Sequence, residues 1–257
     1  GISGEHQGIR SSMLYFADVK SPVEVWSLTL TNNTSKTSRL SLFTYLEWCL
    51  GTSPDWHREF DKIFVETKFD KKAGAVFANK SRWGIPAPDK RPWARPYEFT
   101  GFHASIPAPV AFESDQSNFM GQNGELTAPA AVRQGRLKNT QGRWTDGITS
   151  IQTRVVLRPG QTRTVVYLLG ATRTANEARA IINRYAKKGQ VEVELAKVKK
   201  LWKSMLGNYK TETPDDSLNL LANQWLPYQA ISCRMWGRTA YYQTGGAYGF
   251  RDQLQDS

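Results

Sequence analysis

No apolar run in the chain approaches the ~20 residues needed to cross a bilayer as a helix. No basic start leads into an apolar stretch of the kind that marks a secretion signal. Neither a spanning helix nor a leader is therefore expected within these 257 residues, and the expected compartment is the cytoplasm. Cysteine is scarce: Cys49 and Cys233 lie far apart inside apolar stretches, which predicts two buried, reduced thiols. Histidine is equally sparse, and His6, His57 and His103 show no zinc-ligand spacing, so no metal site is expected. The glycines near the C-terminus lack the following Lys-Ser/Thr of a phosphate-cradling loop. They also lack the strand-before, helix-after setting of a dinucleotide fingerprint.

What the chain does have is an ordinary globular balance, 40% hydrophobic and 22% charged, enough for one large domain or two smaller ones. The net charge of +11 admits anionic partners. The basic residues are spread out, however, and the densest runs, Lys197 to Lys200 and Arg179 to Lys188, fall in helical pattern. They read as solvated helix faces, and with no nucleic-acid motif beside them no nucleic-acid partner is expected. Gly1 opens without an initiator Met and Asp256-Ser257 stops within a patterned segment, so both ends read as cut.

Residues 1–172 read as an antiparallel β-sandwich. Pro22 to Thr31 alternates apolar and polar, Asn32-Asn33 and Ser35 supply turn chemistry, and Ser38 to Trp48 alternates again, which predicts a hairpin with one buried face. Lys62 to Thr67 and Ala75 to Ala78 are shorter strand candidates; Gly147 to Leu157, the turn Arg158-Pro159-Gly160-Gln161, and Thr164 to Gly170 complete the series. The stretch from Trp83 to Pro109, rich in proline and aromatics with weak periodicity, reads as a long irregular loop, either functional or wrapping a sheet edge.

Residues 173–210 read as a helical linker. Thr174 is placed as an N-cap with Glu177 three positions on, followed by Ala178, Ile181, Ile182 and Tyr185 at helical spacing; a second helix runs from Val191 to Leu206 and ends at Gly207-Asn208. Residues 211–257 read as the start of a further, α-helical domain. Thr213 is the expected cap, with Pro214 in the first turn, and Leu218, Leu221, Ala222, Trp225, Leu226, Gln229 and Ala230 recur at helical spacing to about Trp236. Pro227 falls inside that pattern and should kink it.

The run from Tyr241 to Asp256 carries the chemistry. Gly245, Gly246, Ala247 and Gly249 sit among aromatics and lead directly into Arg251-Asp252-Gln253-Leu254-Gln255-Asp256. Glycine admits close backbone approach, aromatic rings offer flat faces to the C–H side of a sugar, and Arg, Asp and Gln offer directional contacts to hydroxyls. The candidate substrate-binding residues are Tyr242, Gln243, Arg251, Asp252, Gln255 and Asp256. A structural turn fixed by an internal Arg251–Asp252 pair accounts equally well for the segment on its own.

Asn223-Gln224-Trp225-Leu226-Pro227-Tyr228-Gln229, Cys233-Arg234-Met235-Trp236-Gly237-Arg238, and Tyr242-Gln243 through Gly249-Phe250-Arg251-Asp252 to Asp256 together resemble glycoside hydrolase family 94. Gly8 to Ser11, Pro22 to Trp26 and Phe43 to Trp48 resemble its N-terminal sandwich. The family comprises phosphorylases of cellobiose, cellobionic acid and β-1,2-oligoglucans and the phosphorolytic region of cyclic β-1,2-glucan synthase. The resemblance implies a β-sandwich, a helical linker and the start of an (α/α)6 barrel. It implies an inverting hexosyltransferase acting on β-linked gluco-oligosaccharides with inorganic phosphate as co-substrate, giving glucose 1-phosphate, with no metal or organic cofactor. Arg251 and Asp252 would hold the non-reducing glucosyl unit, and a homodimer through the sandwich is implied by analogy.

Gly246 stands where cellobiose- and chitobiose-type members carry Arg, and Gln253-Leu254-Gln255-Asp256 replaces their Ser-Asn-Gln-Asp. This variant resembles the cellobionic acid phosphorylase and cyclic glucan synthase branch. The Trp-Asn-Asp motif that carries the family's general acid does not occur, so no catalytic residue is assigned within the chain, and the 257 residues by themselves are expected to be inactive. The competing readings are a noncatalytic carbohydrate-binding sandwich module and a structural protein that keeps only the fold.

Overall fold

The computed structural model describes residues 1–50, 62–81, 97–207 and 210–236, without the side chains of 233–235. The chain forms two compact units, Gly1–Thr52 with His57–Leu195, and Ser53–Trp56 with Ala196–Ser257.

The first unit is a sandwich of antiparallel strands. Its larger sheet has the order β1(Ile2–His6), β2(Ile9–Ala17), β3(Val23–Asn32), β12(Thr162–Thr172), β8(Thr100–Ile106), β7(Ala75–Lys80), β6(Val65–Asp70), β10(Gly142–Arg143). The smaller sheet has β4(Ser38–Phe43) beside β11(Gly147–Leu157), with β5(Leu46–Glu47) and β9(Ala111–Asp115) also on β11. Alternation sets what meets between the sheets: Leu30, Val165 and Tyr167 from the larger pack on Val155 and Leu157 from the smaller, with Leu28, Leu40 and Leu42 alongside. The opposite face of β3 and β12 is polar there, and the pairs Thr29–Thr164 and Thr31–Thr162 join hydroxyls across the strands at 3.2 and 2.9 Å.

Buried polar groups tie the strands together. The Tyr167 and Thr153 hydroxyls lie 2.7 Å apart across the two sheets, and within the smaller one the Trp48 indole N–H, just past β5, donates to Thr149 Oγ1 at 2.9 Å. His103, fully buried on β8, sits 2.9 Å from Thr44 Oγ1 through Nε2 and 3.0 Å from the Leu168 carbonyl through Nδ1. Two short helices, α1(Gln116–Met120) and α2(Ala130–Gln134), pack Phe119 and Ala131 with Leu137 on Ile148 of β11.

The helix α3(Ala175–Tyr185) follows the sandwich. Thr174 caps it as expected, accepting from the Glu177 amide. Its buried stripe of Ala178, Ile181, Ile182 and Tyr185 packs the helix on β12 and β8. Asp18, at the end of β2, accepts from the Tyr185 hydroxyl and from Arg184 Nη2, each at 2.6 Å, and its other oxygen accepts the Lys20 and Ser21 amides. The next helix is α4(Gln190–Leu206).

Several expectations need correction. The predicted hairpin of residues 22–48 does not exist: β3 and β4 lie in different sheets. Asn32 holds the crossing, its amide donating to the carbonyls of Lys36 and Leu157, and the apolar faces of the two strands meet through the core. The second strand also breaks at Thr44 and Tyr45, between β4 and β5. Lys62–Phe64 is a 3₁₀ turn leading into β6. Part of the supposed loop from Trp83 to Pro109 is the strand β8, whose residues Gly101 to Ser105 are all buried, so it shows no period of two; residues 83–96 of that stretch lie outside the described residues. Cys49 is exposed, because its neighbour Trp48 takes the buried side of the strand end and Leu50 packs with it.

Candidate functional site

The six residues expected to bind sugar, Tyr242, Gln243, Arg251, Asp252, Gln255 and Asp256, lie outside the described residues. The structure does describe the helical run that leads to them. It begins not at Thr213 but at Asp215, whose carboxylate accepts the amides of Ser217 and Leu218. Pro214 therefore precedes the cap, and Thr213 is held instead by Asn219: the Thr213 amide and hydroxyl donate to Asn219 Oδ1, and the Asn219 amide donates to the Thr213 carbonyl. One turn on, Asn223 repeats the arrangement with Thr211, accepting its amide at 2.6 Å and donating to its carbonyl at 2.8 Å. The i, i+4 spacing of the two asparagines thus pins the loop over residues 211–213 along one helix face. Asn223, part of the motif that carries the family resemblance, is an anchor for that loop.

The run then alternates between tight and wide turns: α5(Asp216–Leu220), a π-helical stretch Leu221–Trp225, α6(Leu226–Gln229) and a second π-helical stretch Ala230–Trp236. Pro227 has no amide hydrogen, and the helix accommodates it inside this widened run without ending.

One side of the run carries an open groove of about 520 Å³ lined by Trp202, Leu206, Leu220, Leu221, Trp225 and Tyr228. The Trp202 and Tyr228 rings lie 4.9 Å apart, Trp202 and Trp236 5.5 Å, and Trp225 and Tyr228 6.1 Å in a stacked arrangement. Trp225, Leu226 and Leu220 are each more than half exposed. Ser217 and Gln224 add polar groups to the lining. The groove therefore offers flat apolar faces and a few hydrogen bonds, and no carboxyl for proton transfer. The helical spacing foreshadowed Leu221 and Trp225 but not the ring cluster, which depends on Trp202 from α4.

The strongly perturbed titratable groups of the sandwich serve its architecture. Burial pushes the His103 imidazole down to about 4, against the bond to the Leu168 carbonyl, and leaves the ring neutral. Burial alone would raise the Asp18 carboxyl; the Tyr185 hydroxyl, the Lys20 and Ser21 amides and Arg184 outweigh it and hold it below the usual range. Glu113 is raised by burial although the Asp115, Ser114 and Lys138 amides and the Thr140 hydroxyl donate to it, which ties β9 to the loop after α2. Among the described residues no group of three or more His, Cys, Asp or Glu side chains is placed to hold a metal ion. No described helix is long and apolar enough to cross a membrane.

With this geometry in place, similarity to known proteins resolves along the same lines. The glycosyl hydrolase 94 supersandwich-domain model matches residues 1–188, and the glycosyl hydrolase 94 superfamily catalytic-domain model matches residues 201–257. The chain is 31% identical to the cyclic β-(1,2)-glucan synthase NdvB of Rhizobium meliloti, over 92% of this chain and 8% of that protein. It is 25% identical to a solabiose phosphorylase of Paenibacillus borealis, over 100% of this chain and 31% of the relative. It is 26% identical to a cellobionic acid phosphorylase of Neurospora crassa, over 88% and 27%. The chain thus spans less than a third of the length of each of these relatives.

Proposed function

Because the chain belongs to glycoside hydrolase family 94, we propose that it is the front part of an inverting phosphorylase that exchanges β-glucosidic bonds for glucose 1-phosphate. The observation that carries this reading is the order of its parts: a supersandwich, then the opening of a helical catalytic domain whose sequence runs into Tyr242-Gln243 and Arg251-Asp252. The helical run from Asp216 is read as the first helix of an (α/α)6 barrel, and the aromatic groove as a face on which later barrel helices pack.

In this mechanism Arg251 and Asp252 hold the glucosyl unit under attack. The carboxylate accepts two adjacent hydroxyls and the guanidinium fork fixes the carboxylate or reaches the sugar. Tyr242 offers a flat face, and Gln243, Gln255 and Asp256 offer further hydroxyl contacts. A single protein acid, expected in a Trp-Asn-Asp motif further along the full protein, protonates the leaving oxygen. Phosphate attacks the anomeric carbon from the opposite face, so the carbon–oxygen bond to the leaving sugar breaks as the bond to phosphate forms. Phosphate does the work of the water and base in an inverting hydrolase, and no metal or organic cofactor is needed. Gly246 and the Gln253-Leu254-Gln255-Asp256 tail favour a substrate of the cellobionic acid or β-1,2-glucan type over cellobiose. A homodimer through the sandwich and a cytoplasmic location belong to the same proposal.

Asp252→Asn in the full-length protein tests it. Loss of a carboxylate that accepts two hydroxyl bonds leaves donors unpaired at roughly 1–3 kcal/mol each, so kcat/KM should fall about 10- to 1000-fold. The melting temperature should hold. A normal rate per folded molecule with a collapsed melting temperature would instead identify a structural Arg251–Asp252 pair. The 257-residue chain alone should release no glucose 1-phosphate from any β-glucoside.

A further inference from the structure

A cleft of about 350 Å³ opens between β11 and β12, which the turn Arg158–Gln161 joins but which run in different sheets. Val155 and Val165 are its buried apolar lining, Pro107 closes one side, and Arg154, Arg163 and Thr164 bring polar groups to it. Among the described residues both strands present bare edges there. β9 pairs with β11 only as far as Gln152, and β8 pairs with β12 only from Val166 onward, ending beside the cis Ile106–Pro107 bond.

The direction of the backbone follows from the neighbouring bonds. The Ile151 carbonyl accepts from Thr44 on the β4 side, whereas the Gln152 carbonyl accepts from Val110 on the other. Alternation then turns the amides of Arg154 and Val156 the same way as Gln152, where no strand among the described residues meets them. On β12 the Gln161 carbonyl and the Ala171 amide bond on the β3 side, so the Thr164 amide faces the side that β8 has left. Neither the Arg154 nor the Arg163 guanidinium has a hydrogen-bond or ion-pair partner among the described residues, and no acidic side chain lines the cleft.

We propose that this cleft binds a monosaccharide-sized oxyanion, gripped by Arg154 and Arg163 with the bare amides of Arg154, Val156 and Thr164 as additional donors. The volume lies at the small end of the ~300–1,000 Å³ typical of ligand sites. Guanidinium forks match the paired oxygens of a phosphate or a carboxylate, and unpaired amides at a strand edge add fixed donors. Val156 and Pro107, the exposed apolar side chains of the lining, suit the apolar face of a ring. A sugar phosphate and a sugar acid share this chemistry.

Calorimetric titration of the 257-residue chain with glucose 6-phosphate, glucuronate and neutral glucose tests the site. The anions should bind at millimolar concentrations or below and more tightly than glucose, and rising salt should weaken them. Arg154→Ala and Arg163→Ala should each reduce anion affinity about 10- to 100-fold, the loss of one charged hydrogen-bonding partner. Both side chains are exposed, so both variants should keep the parent melting temperature. Asp252→Asn should leave anion binding unchanged, which separates this site from the glucosyl-binding reading. Binding of glucose 6-phosphate alone, or of glucuronate alone, supports the site and names the group it takes. If neither anion binds more tightly than glucose, or if the alanine variants bind as the parent does, the proposal is overturned.

Discussion

Acid should destabilise the sandwich through His103. The imidazole is fully buried and is held neutral down to about pH 4, whereas an unfolded histidine protonates near its ordinary 6.5. Between these values the unfolded chain binds a proton that the folded one refuses, so stability falls as pH drops from 6.5 and the loss is complete near 4. At ~1.36 kcal/mol per pH unit the full penalty is roughly 3 kcal/mol, of which about 2.5 kcal/mol has developed by pH 4.5. For a domain of this size that corresponds to a melting temperature lower by about 5–10 °C. The assay compares the parent with His103→Gln from pH 7.5 to 4.5. The amide can still bond Thr44 and the Leu168 carbonyl, so the variant starts lower but loses less on acidification. Asp18 and Asp70 have folded values below the ordinary 3.8, so their stabilisation persists through this window and fails only at lower pH. Glu113, raised by burial, works in the opposite sense, and like the aspartates it is common to both proteins. A gap between the two melting curves that stays constant from pH 7.5 to 4.5 would refute the reasoning.

Two further perturbations probe the packing. Asp18→Asn should cost about 2–3 kcal/mol at neutral pH, measurable by urea unfolding, because it strips Arg184 and Tyr185 of their shared acceptor and loosens α3. That stabilisation should also vanish in the parent as pH falls through the depressed Asp18 value, below 3.8. Gly101→Ala should cost about 1–3 kcal/mol in thermal unfolding, since its methyl group would lie 2.8 Å from Trp48 and 3.2 Å from Leu50; an unchanged melting temperature would contradict the described packing.

Burial alone did not decide which strands were legible: Ala75–Ala78 and Gly147–Thr153 are buried on both sides and still read as strands, whereas Gly101–Ser105 did not. β3, β11 and β12 emerged from alternation and turn residues nearly at their observed limits, whereas the buried run from Gly101 to Ser105 looked irregular because nothing in it had to be polar. Pairing was harder than existence. β3 and β4 each carry a sound strand pattern, but only the Asn32 contacts to Lys36 and Leu157 direct the second strand to the other sheet, and one of those contacts spans 125 residues. At the helical run, Thr213 and Asp215 are both good caps by residue type, and the tertiary demand of Asn219 for Thr213 decided between them. The sugar-binding segment was legible only as a resemblance; its residues from Tyr242 to Asp256 lie outside the described structure.

The separation of β3 from β4 sets a schedule for folding. Although they are neighbours in the chain, each finds its long partner more than 100 residues later, β3 in β12 and β4 in β11, as the Thr29–Thr164 and Thr31–Thr162 bonds illustrate. Neither sheet can close while the ribosome is still making the middle of the sandwich. The first strands must wait with an apolar face and an open hydrogen-bonding edge until β11 and β12 emerge and complete the two sheets. Shortening the chain from within β11 or β12 should therefore remove the fold of the whole unit, whereas lengthening the loops that precede them only prolongs the wait.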